Sequence, residues 1–287
     1  MASHDPRETG QPTQQVQVPR PRASIVSGRR WIGVAAYHAV SFRRVWRGAV
    51  FTRLGQPLLM LFAVGWGVGL LVDRSDRGGI PWGGQVLPYV VFVVPAILST
   101  QAMTTGVGES SWRVMGAIKW QGTYHAMLAT PLRTRDILLG HLAHVSVQLL
   151  AGATVFIAVA ALFGVWRSGS VLWTIPVALL TGLGFALFMT GVSARVESQA
   201  WLTLTYRLGI TPLMLFSGTF FPVEQLPAVL RPLSAVTPLW HGVAASRALS
   251  TGLIDAGSLG LHVAVLVGFV VAGWWWAARG LHRRLVR

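Results

Sequence analysis

The chain has 287 residues, of which 53% are hydrophobic and 11% charged, with a mean hydropathy of +0.55; so few charges cannot cover a soluble globule of this size. The net charge of +15 would suggest nucleic acid if the basic residues formed one surface, but they cluster between long apolar runs and read as membrane flanks, so no nucleic-acid partner is expected. Cysteine is absent, which removes disulfides, thiolate-bound metals and thiol nucleophiles from the available chemistry.

Residues 1–30, with Pro, Gln, Arg and Ser and no apolar stretch, lack the hydrophobic region of a cleavable signal and read as a disordered cytosolic tail. Over residues 31–47, Trp31, Ile32, Ala35, Ala39, Phe42, Val45 and Trp46 alternate with His38, Arg43, Arg44 and Arg47. That pattern predicts an amphipathic helix lying in the cytosolic interface against membrane lipid, the alternative being a soluble helix packed on its own protein.

A hydrocarbon core about 30 Å thick needs roughly 20 helical residues. Six apolar runs meet that length: 54–72, 86–107, 137–166, 171–194, 199–220 and 259–278. The third can tilt or extend beyond the lipid, and the fifth carries Arg207. Between the fifth and sixth, prolines 222, 227, 232 and 238 prevent one continuous span. Residues 225–233 and 238–249 are short and amphipathic, which predicts a re-entrant pair over 222–250, or alternatively a plain external loop. The fold class expected is therefore an all-α polytopic membrane protein of six transmembrane helices.

Basic residues near span ends are retained on the cytosolic side. With the N-terminus inside, the cytosolic segments hold 19 of the 24 basic residues and the outside five: Arg74, Arg77, Arg167, Arg231 and Arg247. Both termini are expected in the cytosol.

The segment from Glu109 to Asp136 contains Trp120-Gln121-Gly122-Thr123-Tyr124-His125-Ala126-Met127-Leu128-Ala129-Thr130-Pro131-Leu132. Thr123 can cap a short helix over 121–131, Tyr124, Met127 and Leu128 fall on one face, and Pro131 ends it. An exposed aromatic and aliphatic face of this kind fits a groove on a soluble partner; an ordinary interfacial loop is the other reading.

Met127-Leu128-Ala129-Thr130-Pro131-Leu132, then Gly140, and later Phe216-Ser217-Gly218-Thr219-Phe220-Phe221-Pro222 with Thr237-Pro238-Leu239-Trp240-His241-Gly242, resemble the permeases of type-2 ABC exporters. The nodulation lipo-oligosaccharide branch is the nearest in likeness, and daunorubicin-resistance and polysaccharide or lipid exporters are similar; the resemblance covers residue 31 to the C-terminus. It implies six spans per subunit, an interfacial helix, a coupling helix between spans two and three, and external re-entrant helices. It also implies that Tyr124, His125, Met127, Leu128, Thr130 and Pro131 meet the ATPase subunit. His125 stands where relatives often carry glutamate, so a charge pair there lacks its acid. Six helices are half a transporter in this family, which implies a second permease copy or a paralogue.

Lys119, between Ile118 and Trp120, is the only lysine, so this sequence holds no P-loop. No cofactor is expected on this chain, and ATP would be hydrolysed by a partner subunit. Gly65 and Gly69, four apart in the first run, suit either a dimer seam or internal helix packing. Arg207 lies roughly 12 Å into its run by helical rise, where it either meets an anionic headgroup or snorkels to the interface. His141 and His144 read as packing or interfacial histidines, since no third ligand is near in sequence. Trp274, Trp275 and Trp276 with Arg279, Arg283 and Arg284 form an aromatic and basic anchor.

These features predict a permease, in the plasma membrane, moving an amphipathic lipid-linked saccharide, drug or polyketide outward. The rival readings are a lipid-modifying membrane enzyme, for which nine scattered carboxylates offer no cluster, and a secondary transporter, which would place ionisable residues at mid-depth.

Overall fold

The computed structural model describes residues 30–43, 55, 59–74, 78–225, 227–229 and 231–286. Residues 1–29 of the expected tail, residues 44–47 of the interfacial helix and most of 54–58 lie outside these. Among the described residues, four helices are long and apolar enough to cross a membrane: Tyr89–Lys119, Thr134–Leu162, Gly169–Arg195 and Ala256–Leu285.

The first helix, α1 (Arg30–Arg43), lies along α6 (Thr134–Leu162) and turns Val34 and His38 into the protein. Gly140 permits that approach: a Cβ there would fall 2.4 Å from Val34 Cβ and 3.0 Å from the Trp31 carbonyl oxygen. The next element, α2 (residues 61–73), is π-helical over Leu61–Val68 and α-helical over Gly69–Asp73, where Gly69 is buried.

A hairpin follows, β1 (Ile80–Trp82) paired antiparallel with β2 (Gln85–Leu87), so the chain is not wholly helical. Gly83 and Gly84 have φ of 57° and 76°, the two positive values that a tight hairpin turn requires. Val86 and Leu87, expected to open the second span, belong to β2 instead. Pro88 disfavours helix at the residue before it, so α3 (Tyr89–Ser110) starts after Pro88, with the Asp73 carboxylate accepting from the Tyr89 N–H at 2.9 Å.

After a break at Ser111 come α4 (Trp112–Lys119), α5 (Thr123–Leu128), α6 and then α7 (Thr174–Arg195), which is preceded by a 3₁₀ turn over Gly169–Trp173. α3 and α7 cross backbone to backbone, since a Cβ on Gly106 would fall 2.1 Å from the Gly182 carbonyl oxygen. The core they share with α6 includes Phe92, Val93, Ala186 and, from α6, Phe156.

The fifth apolar run is broken. In α8 (residues 199–216), α-helical turns Gln199–Thr205 and Thr211–Phe216 flank a π-helical turn at Tyr206–Ile210, and the Thr211 hydroxyl donates to the Tyr206 carbonyl at 3.0 Å. Pro212 cannot donate to the ladder, and the chain leaves the helix at Ser217 and Gly218 (φ 75°) rather than at Phe220.

Between α8 and α11 (Ala256–Leu285) stand α9 (Arg231–Val236) and α10 (Pro238–Thr251). α10 was expected to be amphipathic. It packs instead against α3, α7 and α11 and buries most of its circumference, because Gly242, Ala244, Ala245 and Ser246 are small enough for close approach.

Candidate functional site

α5 is set by its ends. Trp120 and Gln121 N–H groups both donate to the Gly116 carbonyl, at 3.0 and 2.9 Å, and Gly122 at φ 63° redirects the chain. Gly122 rather than Thr123 occupies the N-cap, and no side chain caps it. Past Leu128 the chain is fastened by Thr130, whose hydroxyl donates to the Met127 carbonyl at 2.6 Å, and by Arg30, whose guanidinium donates to the Pro131 carbonyl at 2.8 Å. The Arg133 N–H donates to the Asp136 carboxylate at 2.9 Å, which closes the first turn of α6.

Tyr124 is only 1% exposed, packed in one cluster with Ile118 of α4, Ile137 and Leu138 of α6, and Leu281 of α11, while Met127 and Leu128 border that cluster. The aromatic and aliphatic face expected to point outward therefore anchors α5 to its own bundle, because a six-residue helix needs tertiary packing to persist. Burial raises the pKa of the Tyr124 hydroxyl. The outward surface is formed by His125, Ala126, Ala129, Thr130 and Pro131.

The segment is wired to the long helices. Glu109, at the end of α3, pairs with Arg113 of α4 at 3.2 Å and approaches His144 of α6 at 3.5 Å. It thus falls in the last turn of α3, just beyond the second apolar run. Ser110 bonds His141 at 3.0 Å, and the Ser193 hydroxyl of α7 donates to the Ser110 carbonyl at 2.9 Å. His38 of α1 completes this cluster, stacking on His144 with centroids 5.2 Å apart. Burial first, then the neighbouring His144 and Arg113, lower the His38 pKa to about 4. Histidines 141 and 144 thus meet a third histidine that sequence spacing did not reveal, although the described residues hold no group of three or more His, Asp or Glu arranged for a metal ion.

At the start of α4, the Ser111 hydroxyl lies 3.2 Å from the Tyr206 hydroxyl, and the Trp112 ring sits 5.0 Å from that of Tyr206. Tyr206 opens the π-helical turn of α8, next to Arg207, which is exposed. Lys119 of α4 donates to the Glu197 carbonyl, and Arg284 of α11 pairs with the Glu197 carboxylate at 3.2 Å. Gly65 falls in the π-helical part of α2 and Gly69 in its α-helical end.

At the opposite end, Pro81, Trp82, Gln85, Glu224, Trp240 and His262 border a cleft of about 820 Å³ between the hairpin, α10 and α11. Arg247, counted among the external flanking charges, is 2% exposed inside α10. Its guanidinium donates to the Phe92 and Gly218 carbonyls, both at 2.9 Å, and stacks 3.6 Å from the centroid of Phe92. The run Ala244-Ala245-Ser246-Arg247-Ala248 held the missed signal, a charge among residues small enough to be enclosed. The two late motifs meet here. Thr219 bonds Thr100 at 3.1 Å, Ser99 donates to the Gly242 carbonyl at 3.0 Å, and Thr237 caps α10 by accepting from the Trp240 N–H at 3.4 Å.

Comparison with known proteins agrees with this architecture. The family described as ABC-2 type transporter matches residues 34–250. Nodulation protein J of Rhizobium leguminosarum bv. trifolii is 33% identical over 260 residues, covering 90% of this chain and 94% of that protein. Nodulation protein J of Rhizobium meliloti (strain 1021) is 30% identical over 262 residues, covering 91% and 95%. A "Probable multidrug ABC transporter permease YbhR" of Escherichia coli (strain K12) is 26% identical over 165 residues, covering 56% and 44%. The chain belongs to the ABC-2 type transporter family. It is the membrane-spanning permease of an ABC exporter, a subunit that is not itself an enzyme and that works with an ATPase partner.

Proposed function

We propose that this permease works as a pair, with itself or a paralogue, beside two separate ATPase subunits, and moves an amphipathic molecule outward across the plasma membrane. In this reading the subunit has six spans, the four long helices together with the irregular α2 and α8, and both termini face the cytosol. α1 lies in the cytosolic interface, and α9 with α10 re-enters from the outside. The excess of arginines at the α5 end supports this orientation. The substrate in this reading is a drug, in keeping with the relative named a multidrug permease, or a lipid-linked saccharide or polyketide, as the sequence resemblance implies.

The observation that carries the mechanism is the contact of Ser111 and Trp112 with Tyr206. ATP binds and is hydrolysed on the partner, consistent with a sequence without a P-loop. Closure of the ATPase pair pushes on the outer surface of α5, at His125, Ala126, Ala129, Thr130 and Pro131. Tyr124, Met127 and Leu128 transmit the push by holding α5 on α4, α6 and α11. α4 then passes it to the π-helical turn of α8, an element able to change packing, with Arg207 on its exposed side for an anionic headgroup. Gly65 of α2 is the close-approach position for the second copy in this reading, whereas Gly69, buried within this chain, serves internal helix packing.

Co-purification with candidate ABC ATPases tests the reading. An Ala126→Arg/Ala129→Arg variant, both substitutions on the exposed side of α5, should insert into the membrane normally and lose the ATPase. Retention of the ATPase by that variant would contradict the proposed contact surface.

A further inference from the structure

Beside α5 lies a cleft of about 620 Å³ between the start of α6 and the end of α11, bordered by Arg133, Arg135, Arg279, His282, Trp274 and Trp275. Among the described residues, none of these three arginines forms an ion pair, and no carboxylate borders the cleft. Arg279 is held in place by stacking, its guanidinium carbon 4.1 Å from the centroid of Trp275. Such a cleft presents unneutralised, partly ordered cations above aromatic walls.

Its surroundings decide between anions. Val267, Val271, Trp275 and Arg279 recur every four residues, so they share one face of α11. Val271 is 62% exposed and Trp275 60% exposed, which makes this face an apolar stripe turned away from the protein. Arg279 ends that stripe where the apolar character gives way to charge. A ligand reaching the cleft along the stripe needs an acyl body for the valines and tryptophans and an anionic head for the arginines. A soluble phosphate or an acidic peptide would leave the apolar stripe uncovered.

We propose that this cleft is a binding site for an anionic phospholipid, whose phosphate is held by Arg133, Arg135 and Arg279 and whose glycerol and upper acyl chain rest on Trp274 and Trp275. The proposal rests on α11 spanning the membrane, and it does not depend on which ATPase is bound. Leu128, the last residue of α5, borders the same cleft. A bound lipid therefore braces the helix on which the partner acts, and lipid composition tunes coupling.

Native mass spectrometry of the full-length chain, titrated with phosphatidylglycerol and separately with phosphatidylcholine, tests the proposal. Wild type should retain one phosphatidylglycerol more tightly than any phosphatidylcholine. Arg279→Gln should weaken that retention about fivefold, and Arg133→Gln/Arg279→Gln about thirtyfold, from the typical contribution of one arginine near an anionic surface. Arg283→Gln removes the same charge from the same helix outside the cleft and should leave retention at the wild-type level. Equal weakening by Arg283→Gln and Arg279→Gln, or equal retention of the two lipids, would overturn the proposal. So would displacement of the lipid by millimolar inorganic phosphate, which would assign the cleft to soluble anions. None of these outcomes touches the co-purification test of the ATPase contact.

Discussion

His38 on α1 stacks on His144 of α6, with ring centroids 5.2 Å apart and planes 24° from parallel, so the first helix is docked through an uncharged imidazole. Around it stand Tyr37 on its own helix, Glu109 of α3, Arg113 of α4, and His141 with His144 of α6.

That burial predicts acid sensitivity. The folded pKa of His38, about 4, lies below its ordinary 6.5, so the unfolded chain binds more protons between those values and stability rises with pH across that window. The contribution, on the order of 3 kcal/mol, is present above about pH 6.5 and is lost as pH falls toward 4. Thermal unfolding in detergent should show a melting temperature that drops between pH 7 and pH 5, with a shallower drop in His38→Gln. An identical pH slope in the variant would contradict the assignment to His38.

Gly140 is the other requirement of the same docking. A Cβ there would overlap Val34 and approach the Trp31 carbonyl oxygen, so Gly140→Val should destabilise by about 1–3 kcal/mol through overpacking. Gly140→Ala should be milder and partly rescued by Val34→Ala, which removes the methyl groups in the way. Thermal melting of the two single variants and the double variant checks this as a coupled pair.

Much of this could be read from the residues beforehand. Apolar runs of span length and the excess of arginines near one end required no tertiary information, and Pro131 marked a stop beyond α5, whereas the cap assigned to Thr123 falls to Gly122. What could not be read depends on contacts distant in the chain. Tyr124 is apolar enough to sit on either side of α5, and only Ile137, Leu138 and Leu281 decide that it faces inward. Arg247 carries a charge that composition assigns to water, whereas the carbonyls of Phe92 and Gly218, 155 and 29 residues away in sequence, enclose it. The hairpin was hidden because Val86 and Leu87 are as apolar as the span they precede.

Arg247 should be intolerant of substitution. Replacement by alanine leaves two carbonyls without their donor and empties the space beside Phe92, a loss of about 2–4 kcal/mol for charge-assisted hydrogen bonds in a buried site. Lysine should fail to rescue, since a single ammonium cannot reproduce the guanidinium fork or its stacking on the ring. Melting temperature and yield of folded protein report both variants.

Tyr124 and His125 are adjacent and should behave oppositely. Tyr124→Ala opens a cavity in the cluster formed with α4, α6 and α11 and should cost about 3–5 kcal/mol, as for other large aromatic truncations. His125→Ala, on the exposed side, should leave melting within about 0.5 kcal/mol of wild type. Equal stability losses in the two would contradict the inward placement of Tyr124.

The most direct test of the central claim, that the exposed side of α5 meets the ATPase, uses the natural absence of cysteine in this chain. Single cysteines introduced as His125→Cys, Thr130→Cys and, at the hairpin end, Gln85→Cys can each be treated with a short crosslinker in membranes holding the cognate ATPase. The account predicts crosslinks from positions 125 and 130 whose yield changes when ATP is added, and none from position 85. Crosslinks from position 85, or none from 125 and 130 in a complex that still co-purifies, would contradict it.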